Sequence, residues 1–375
     1  MFSGSIIKPG FNPLAAPTPS YTYYLYSWGQ NTYGNLGLGN TTSYSSPKQV
    51  GSLTDWLTIS AGNYSCFSVK TNNTLWAWGN NGSGRLGLGN STSYSSPKQI
   101  GALTGWLSVS AGYHTSFAVK TNGTLWGWGA NTYGNLGNGA TGAISSPVQI
   151  GALTNWLTIS SGYSHTAAVK TDGTLWTWGR GNAGCLGLGN TTSYSSPKQV
   201  GSLTNWLKVA AGGYTPYTLA VKTDGTIWSW GGNNYGQLGN GNTTSRQSPV
   251  QIGALTNWST VATSVNGDCV VATKTDGTIW TWARNESGQL GLGNTTSYSS
   301  PKQIGALTNW LNASCGYRHM ASVKTNGTLW AWGRNNYGHL GIGNTTYYSS
   351  PKQVGSLTTW ATQSCGQFTT LSLAY

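Results

Sequence analysis

Along the chain, short runs of alternating apolar and polar residues are cut by Gly, Asn-Gly, Asp-Gly and Ser-Ser-Pro, and no 3.6-residue apolar period survives for long. A period of two broken by turn-forming residues predicts short strands joined by tight turns and excludes helices of note. The clearest unit opens Gly123-Thr124-Leu125-Trp126-Gly127-Trp128-Gly129 and passes through a Gly-rich loop to Ser145-Ser146-Pro147-Val148-Gln149-Ile150-Gly151. It continues from Leu153 through Trp156 to Ser160 and closes on His165-Thr166-Ala167-Ala168-Val169-Lys170-Thr171. Four strand-like runs per unit follow.

The unit recurs roughly every fifty residues, the signature of a tandem-repeat fold. The second Trp of W-x-W-G marks the period at Trp28, Trp78, Trp128, Trp178, Trp230, Trp282 and Trp332. A separate series, Trp56, Trp106, Trp156, Trp206, Trp258, Trp310 and Trp360, also has seven members. A four-stranded sheet of this size cannot bury both faces alone, so each unit must stack on its neighbours. The chain ends show that the stack closes. Tyr24-Leu25-Tyr26-Ser27-Trp28-Gly29 aligns with Thr74-Leu75-Trp76-Ala77-Trp78-Gly79, so the repeats begin at a third strand. Ser364-Cys365-Gly366 matches Ser60-Ala61-Gly62, and Leu371-Ser372-Leu373 matches Phe67-Ser68-Val69, so they stop after a second strand. The two fragments make one blade, which removes the free edges of an open array. The expected fold is all-β: a seven-bladed β-propeller of four-stranded antiparallel blades over residues 21–375, with the closing blade built from both termini. Residues 1–20, broken by Pro9, Pro13, Pro17 and Pro19, are expected to form an extended arm. Asn122-Gly123, Asp172-Gly173, Asp224-Gly225, Asp276-Gly277 and Asn326-Gly327 are expected to make two-residue hairpin turns, with Asn72-Asn73 as a substitute.

The patterns W-x-W-G, N-x-x-G-x-L-G-x-G and S-S-P-x-Q resemble the repeat of the regulator of chromosome condensation superfamily, over nearly the whole chain from about residue 24 to 373. The resemblance implies a seven-bladed propeller whose closing blade mixes the two ends. It also implies a choice of roles: nucleotide exchange on a small nuclear GTPase and nucleosome binding for the founding member, and binding modules, scaffolds or inhibitors for others. The founding member uses acidic and loop residues outside the repeat signature. Here the acidic residues are Asp55, Asp172, Asp224, Asp268, Asp276 and Glu286 alone, and three of them belong to hairpin turns.

Composition sharpens the functional expectation. Gly (55), Tyr (21) and Trp (20) dominate, while 19 basic residues face 6 acidic ones for a net charge of +13. Such a surface attracts anions, but without a Lys/Arg cluster or tail nucleic acid is not expected as the primary partner. No stretch approaches the ~20 apolar residues of a membrane helix, so no membrane insertion is expected. Cys66, Cys185, Cys269, Cys315 and Cys365 lack paired spacing and suggest small buried filler, with Cys315 and Cys365 at matching places in consecutive repeats.

His114, His165 and His319 fall just before strands that end in Lys-Thr. They are expected to bond to backbone at turns near the centre rather than form a ring of bases or ligands, and His339, in a Gly-rich loop, to lie on the surface. No phosphate-binding loop of the G-x-x-x-x-G-K-[ST] kind is present. No catalytic residue, metal or cofactor is expected, and the chain is not expected to be an enzyme. Tyr44, Tyr94, Tyr194, Tyr298 and Tyr348, with Lys48, Lys98, Lys198, Lys302 and Lys352, form a broken ring interrupted at Ile144/Val148 and Arg246/Val250. Repeated aromatic and basic groups suit binding; the alternative is that each Tyr pins its turn and each Lys solubilises a strand end. Lys70, Lys120, Lys170, Lys222, Lys274 and Lys324 are expected as solvated turn flanks. The uncharged, Asn/Thr/Tyr-rich repeats favour a structural or adhesive binding protein of a virus particle or extracellular surface. Its contacts would be protein or glycan surfaces, with capsid or tail proteins engaged through residues 1–20. The alternative is a cytoplasmic protein-interaction scaffold or small-GTPase regulator.

Overall fold

The computed structural model describes residues 22–375, so the arm expected over 1–20 lies outside the described residues. Seven four-stranded antiparallel sheets follow one another as blades. Blades one to six span residues 56–99, 106–149, 156–199, 206–251, 258–303 and 310–353. Blade seven takes Trp360–Cys365 and Thr369–Ala374 from the end of the chain and Tyr24–Gly29 and Tyr44–Gln49 from its beginning. The seam is a regular ladder from Tyr24↔Ala374 to Gly29↔Thr369. The expected fold class and its composite closing blade are both present.

The core is seven apolar clusters rather than one centre, because each sheet buries its faces only against its neighbours. Across the seam, for example, Leu25, Val50, Leu371 and Leu373 of blade seven pack on Trp56 and Trp78 of blade one. First strands meet around the axis. Ser60 Oγ accepts the amide of Ala111 (3.0 Å), Ser110 that of Ser161 (3.2 Å), Ser160 that of Ala211 (2.9 Å) and Ser364 that of Ala61 (3.0 Å).

The twenty tryptophans fall into three repeat positions. In blade one Trp56 meets Trp76 and Trp78 edge-on, at centroid distances of 6.1 and 6.3 Å, and Trp78 then reaches into the preceding blade to donate its indole N–H to Asn35 O (3.1 Å). The same bond runs from Trp28 to His339 O, Trp128 to Arg85 O, Trp178 to Asn135 O, Trp230 to Cys185 O and Trp282 to Gln237 O. The glycine two residues beyond each acceptor makes room for the indole. At Gly137 (φ +78°) a Cβ would stand 2.7 Å from Trp178 Nε1. Gly137→Ala therefore combines left-handed backbone strain with loss of a buried hydrogen bond, about 1–3 kcal/mol each. It is expected to lower the melting temperature by several degrees, whereas Gly151→Ala, with open space around it, leaves only the strain term.

The hairpins between second and third strands differ from expectation. Gly123 N–H bonds to Lys120 O (2.8 Å) and Lys120 N–H to Thr124 O (3.0 Å), which closes a three-residue loop in which Gly123 alone takes positive φ. This is a type I turn followed by a left-handed bulge residue. Asn73 fills that place at φ +59° in blade one. The Asx side chain works elsewhere: Asp172 Oδ1 accepts from Thr174 N and Oγ1, and Thr174 Oγ1 accepts the N–H of Trp176.

Candidate functional site

Each first strand is joined to its second, and each third to its fourth, on one face of the ring; the other face carries the three-residue hairpins and the links between blades. On the first face, the tight first-to-second connections present one aromatic residue after a glycine: Tyr64, Tyr113, Tyr163, Tyr214, Tyr317 and Phe368. The long third-to-fourth loops add Tyr33, Tyr133, Tyr235 and Tyr337. The rings touch in two arcs. Tyr337 and Tyr317 both meet Phe368 (5.2 and 5.5 Å), which leads through Tyr64 to Tyr33 (6.1 and 5.1 Å). Tyr113 meets Tyr163 (4.3 Å) and Tyr163 meets Tyr214 (5.1 Å).

Arg85 joins the arcs, because its guanidinium donates to Asn63 O (3.2 Å) in blade one and to Tyr113 O (3.0 Å) in blade two. Five of the six arginines lie on this face. Arg180 covers the ring of Tyr133 (4.7 Å), Arg284 that of Tyr235 (4.4 Å), Arg318 that of Tyr317 (5.2 Å) and Arg334 that of Phe368 (5.7 Å). Blade five breaks the crescent. Its connection, Val265-Asn266-Gly267-Asp268, has no aromatic residue; instead Asp268 and Glu286 pair with Arg284 (3.6 and 2.9 Å), and Glu286 also with Arg318 (3.3 Å).

Burial and the neighbouring phenols push the Tyr64 hydroxyl up to about 12, and Tyr64 sits at φ +60°, backbone that a bulky residue rarely adopts. Tyr214 is 67% exposed and Tyr33 and Tyr133 each 42%, while the inner rings are half-buried. Rigid, partly wetted aromatic rings crossed by guanidinium groups are the side-chain set that anchors protein interfaces. The sequence signal for this face is an aromatic residue closely following the glycine of the first-to-second connection in six of seven repeats, a pattern less regular than the Tyr/Lys series.

The Tyr/Lys series lies elsewhere. Tyr44, Tyr94, Tyr194, Tyr298 and Tyr348 begin the outermost strands, half-buried, and Lys48, Lys98, Lys198, Lys302 and Lys352 near their ends are exposed. Each Lys Nζ sits 5.3–5.7 Å from the ring of its own blade's Tyr. The structure makes five separate pairs around the circumference and does not bring them together.

Three expectations are corrected. The lysines from Lys70 to Lys324 are not solvated flanks. Each ammonium lies between two indoles of its blade, at 4.6 and 4.4 Å for Lys70 and at 4.7 and 3.9 Å for Lys222, with the rings replacing water. His339 is not on the surface but buried against His319, with 4.5 Å between ring centroids. His165 and His319 open their strands and contact Thr218 Oγ1 (3.0 Å) and Thr370 Oγ1 (3.2 Å) of the following blade, hydroxyl groups rather than the expected backbone. His114 is one residue out of register with them and meets Arg85 instead (3.0 Å). Burial holds His165 down to about 4 and His319 to about 3; His114, facing Arg85 as well, lies at about 4. Among the described residues no group of three or more His, Cys, Asp or Glu could hold a metal ion. The five cysteines are buried and free, so Cys315 and Cys365 form no bridge.

The chain thus forms a closed seven-bladed ring with one face lined by aromatic and arginine side chains. The RCC1-like domain profile matches residues 24–268, and the regulator of chromosome condensation (RCC1) repeat matches residues 276–323 and 326–373. The chain is a member of the RCC1-like domain family. It is similar to Protein RCC2 of Mus musculus, 37% identical over 94 residues that make up 25% of this chain and 18% of that protein. It is also similar to the ultraviolet-B receptor UVR8 of Arabidopsis thaliana, 34% identical over 92 residues, or 24% and 21% of the two chains. The matched segments thus span about a fifth of these relatives. Prp20p from Saccharomyces cerevisiae shares the fold over 100% of this chain and 96% of its own, with a TM-score of 0.85 at 18% identity.

These relatives correct the expectation of a structural or adhesive component of a virus particle, together with its location on a virion or extracellular surface. They are cellular proteins of animals, plants and yeast, named as a receptor, as a ubiquitin ligase (HERC2) and as a protein with binding properties to Gsp1p and histones. Capsid, tail and glycan partners have no counterpart among them.

Proposed function

We propose that this protein is an intracellular, non-enzymatic protein-interaction scaffold that docks a partner polypeptide on the aromatic and arginine-lined face. The observation that carries this is the crescent from Tyr337 through Phe368, Tyr64, Arg85 and Tyr163 to Tyr214, continuous across six blades on one rigid face. The match of RCC1-like repeats to a ubiquitin ligase, and the binding of Prp20p to Gsp1p and histones, support protein binding as the shared activity. The ion pairs of Asp268 and Glu286 with Arg284 and Arg318 replace the aromatic residue in blade five and give the face a direction, so a partner fits it in one orientation. The rim pairs of Tyr44/Lys48 type are proposed as peripheral contacts, where several weak sites on one ring gain avidity.

Cross-linking of the intact chain in a cell extract, followed by mass spectrometry, tests both parts. Partner cross-links are expected on residues 63–65, 113–114, 163–164 and 317–318. Tyr64→Ala/Tyr163→Ala/Tyr317→Ala is expected to weaken capture at least tenfold, and Tyr44→Ala/Tyr194→Ala/Tyr348→Ala only modestly. Cross-links confined to the rim or to the hairpin face, with the crescent variant unimpaired, would overturn the reading.

A further inference from the structure

The six lysines held between indoles differ in their charge surroundings. Lys70 Nζ pairs with Asp55 at 3.1 Å. Asp172, Asp224 and Asp276 lie close enough to Lys170, Lys222 and Lys274 to favour their charged forms. Lys120 and Lys324 face Asn122 and Asn326 in the corresponding turns, and burial alone acts on them, in the direction of the neutral form. Lys324 is 6% exposed; its Nζ lies 4.5 Å from the ring of Trp310 and 3.9 Å from that of Trp330, with no acceptor or carboxylate partner among the described residues.

Lys324 also lines a groove of about 430 Å³ between blades five and six. Leu292, Ile304, Leu307, Trp310, Trp330 and Pro351 give it apolar walls, and Gly305 leaves open space beside them. We infer that this groove binds a carboxylate borne on an apolar body, presented as an acidic side chain between apolar residues of a partner polypeptide, with Lys324 as its counter-ion. An ammonium flanked by two indoles at a groove, with no protein counter-charge, leaves its positive charge uncompensated there. A carboxylate supplies charge-assisted hydrogen bonds that strengthen as the apolar walls exclude water, and the indoles fix the ammonium in place for it. Half-exposed Leu307 at the groove gives the flanking apolar residue a contact. The groove lies between blades five and six and shares no lining residue with the aromatic crescent, so it stands or falls independently of that proposal.

The test uses the intact chain and the probe acetyl-Leu-Glu-Leu-amide against its Gln counterpart, titrated by calorimetry and by the indole N–H signals of Trp310 and Trp330. The Glu probe is expected to saturate with a Kd on the order of 1 mM, about −4 kcal/mol. The Gln probe and Lys324→Met are each expected to weaken binding at least tenfold, while Lys324→Arg and Lys274→Met preserve it. Equal affinity for both probes, full binding by Lys324→Met, or no saturation by the Glu probe overturns the proposal. If Lys324→Met fails to fold, the Glu-to-Gln comparison on the unaltered chain still decides.

Discussion

Deleting residues 366–375 is expected to abolish the cooperative melting transition rather than shift it. Thr369–Ala374 is an interior strand of blade seven, paired with Tyr24–Gly29 on one side and with Trp360–Cys365 on the other. Its loss exposes two strand edges, a standing invitation to aggregation. It also removes Leu371 (0% exposed) and Leu373 (1%) from the cluster that joins blade seven to blade one. Truncating a single buried leucine costs about 2–5 kcal/mol, so two of them with a strand's hydrogen bonds exceed the roughly 5–15 kcal/mol that holds a typical domain together. Light scattering and circular dichroism against temperature check this: the expected product is aggregated or molten, and a monomer melting near the intact protein would refute it. Because Tyr24 and Ala374 face each other across the seam, a circular permutant closed there and opened at the Thr121-Asn122-Gly123 loop is expected to fold with a melting temperature within a few degrees of the parent.

The architecture was legible because it is written redundantly. Seven W-x-W-G tryptophans, seven Trp56-type tryptophans and two end fragments that complete each other all demand the same ring. Misreadings arose where a side chain's surroundings come from another strand or blade. Lys70 looks solvated beside Thr71 and Asn72, and only the pairing of Trp56 with Lys70 across two strands places the ammonium between Trp56 and Trp76. His339 sits in a polar loop, but that loop closes over blade seven and presses the imidazole against His319 of its own blade. The hairpin differed by one residue because the bond from Gly123 N–H to Lys120 O fixes the turn, and Asn-Gly serves either loop length. The site was harder still. Tyr44 and Lys48 recur as strictly as any residues here, yet each pair stays on its own outer strand and none meets the next. The less regular series, Tyr64, Tyr113, Tyr163 and Tyr317, converges only because its short connections share one face around the axis. Composition suggested an exterior protein, but a repeat low in charge states how the blades solubilise themselves, not where they work.

Stability is expected to fall steeply between pH 6.5 and 4.5, with the four histidines as the cause. An unfolded histidine titrates near 6.5. In the folded chain burial lowers His165 and His114 to about 4 and His319 to about 3, and His339, beside His319 and Arg334, lies well below its ordinary value. A histidine depressed on folding contributes stability that is complete above the unfolded value and is lost as pH falls toward the folded one, because the unfolded chain takes up the proton first. The three fully buried histidines give a limiting slope of about 4 kcal/mol per pH unit, and half-buried His114, partly screened by solvent, adds less than a full group. Asp172, Asp224 and Asp276, held low by bonds from Thr174, Thr226 and Thr278, and Glu286, held low by Arg284, add the same sign as pH falls through the ordinary carboxylate range, so the part of the window above about pH 5.5 reports the imidazoles alone. Asp268 works the other way: burial raises it, so the folded chain gains one proton early and offsets at most one of the four. Urea midpoints measured from pH 7.5 to 4.5 check the sum. His319→Gln, which can keep a contact to Thr370, is expected to flatten the profile by nearly one proton. A profile that stays flat to pH 4.5 would show that the imidazoles do not titrate on unfolding, and that the packing of His165 and His319 between blades persists in the unfolded chain or is absent from the folded one.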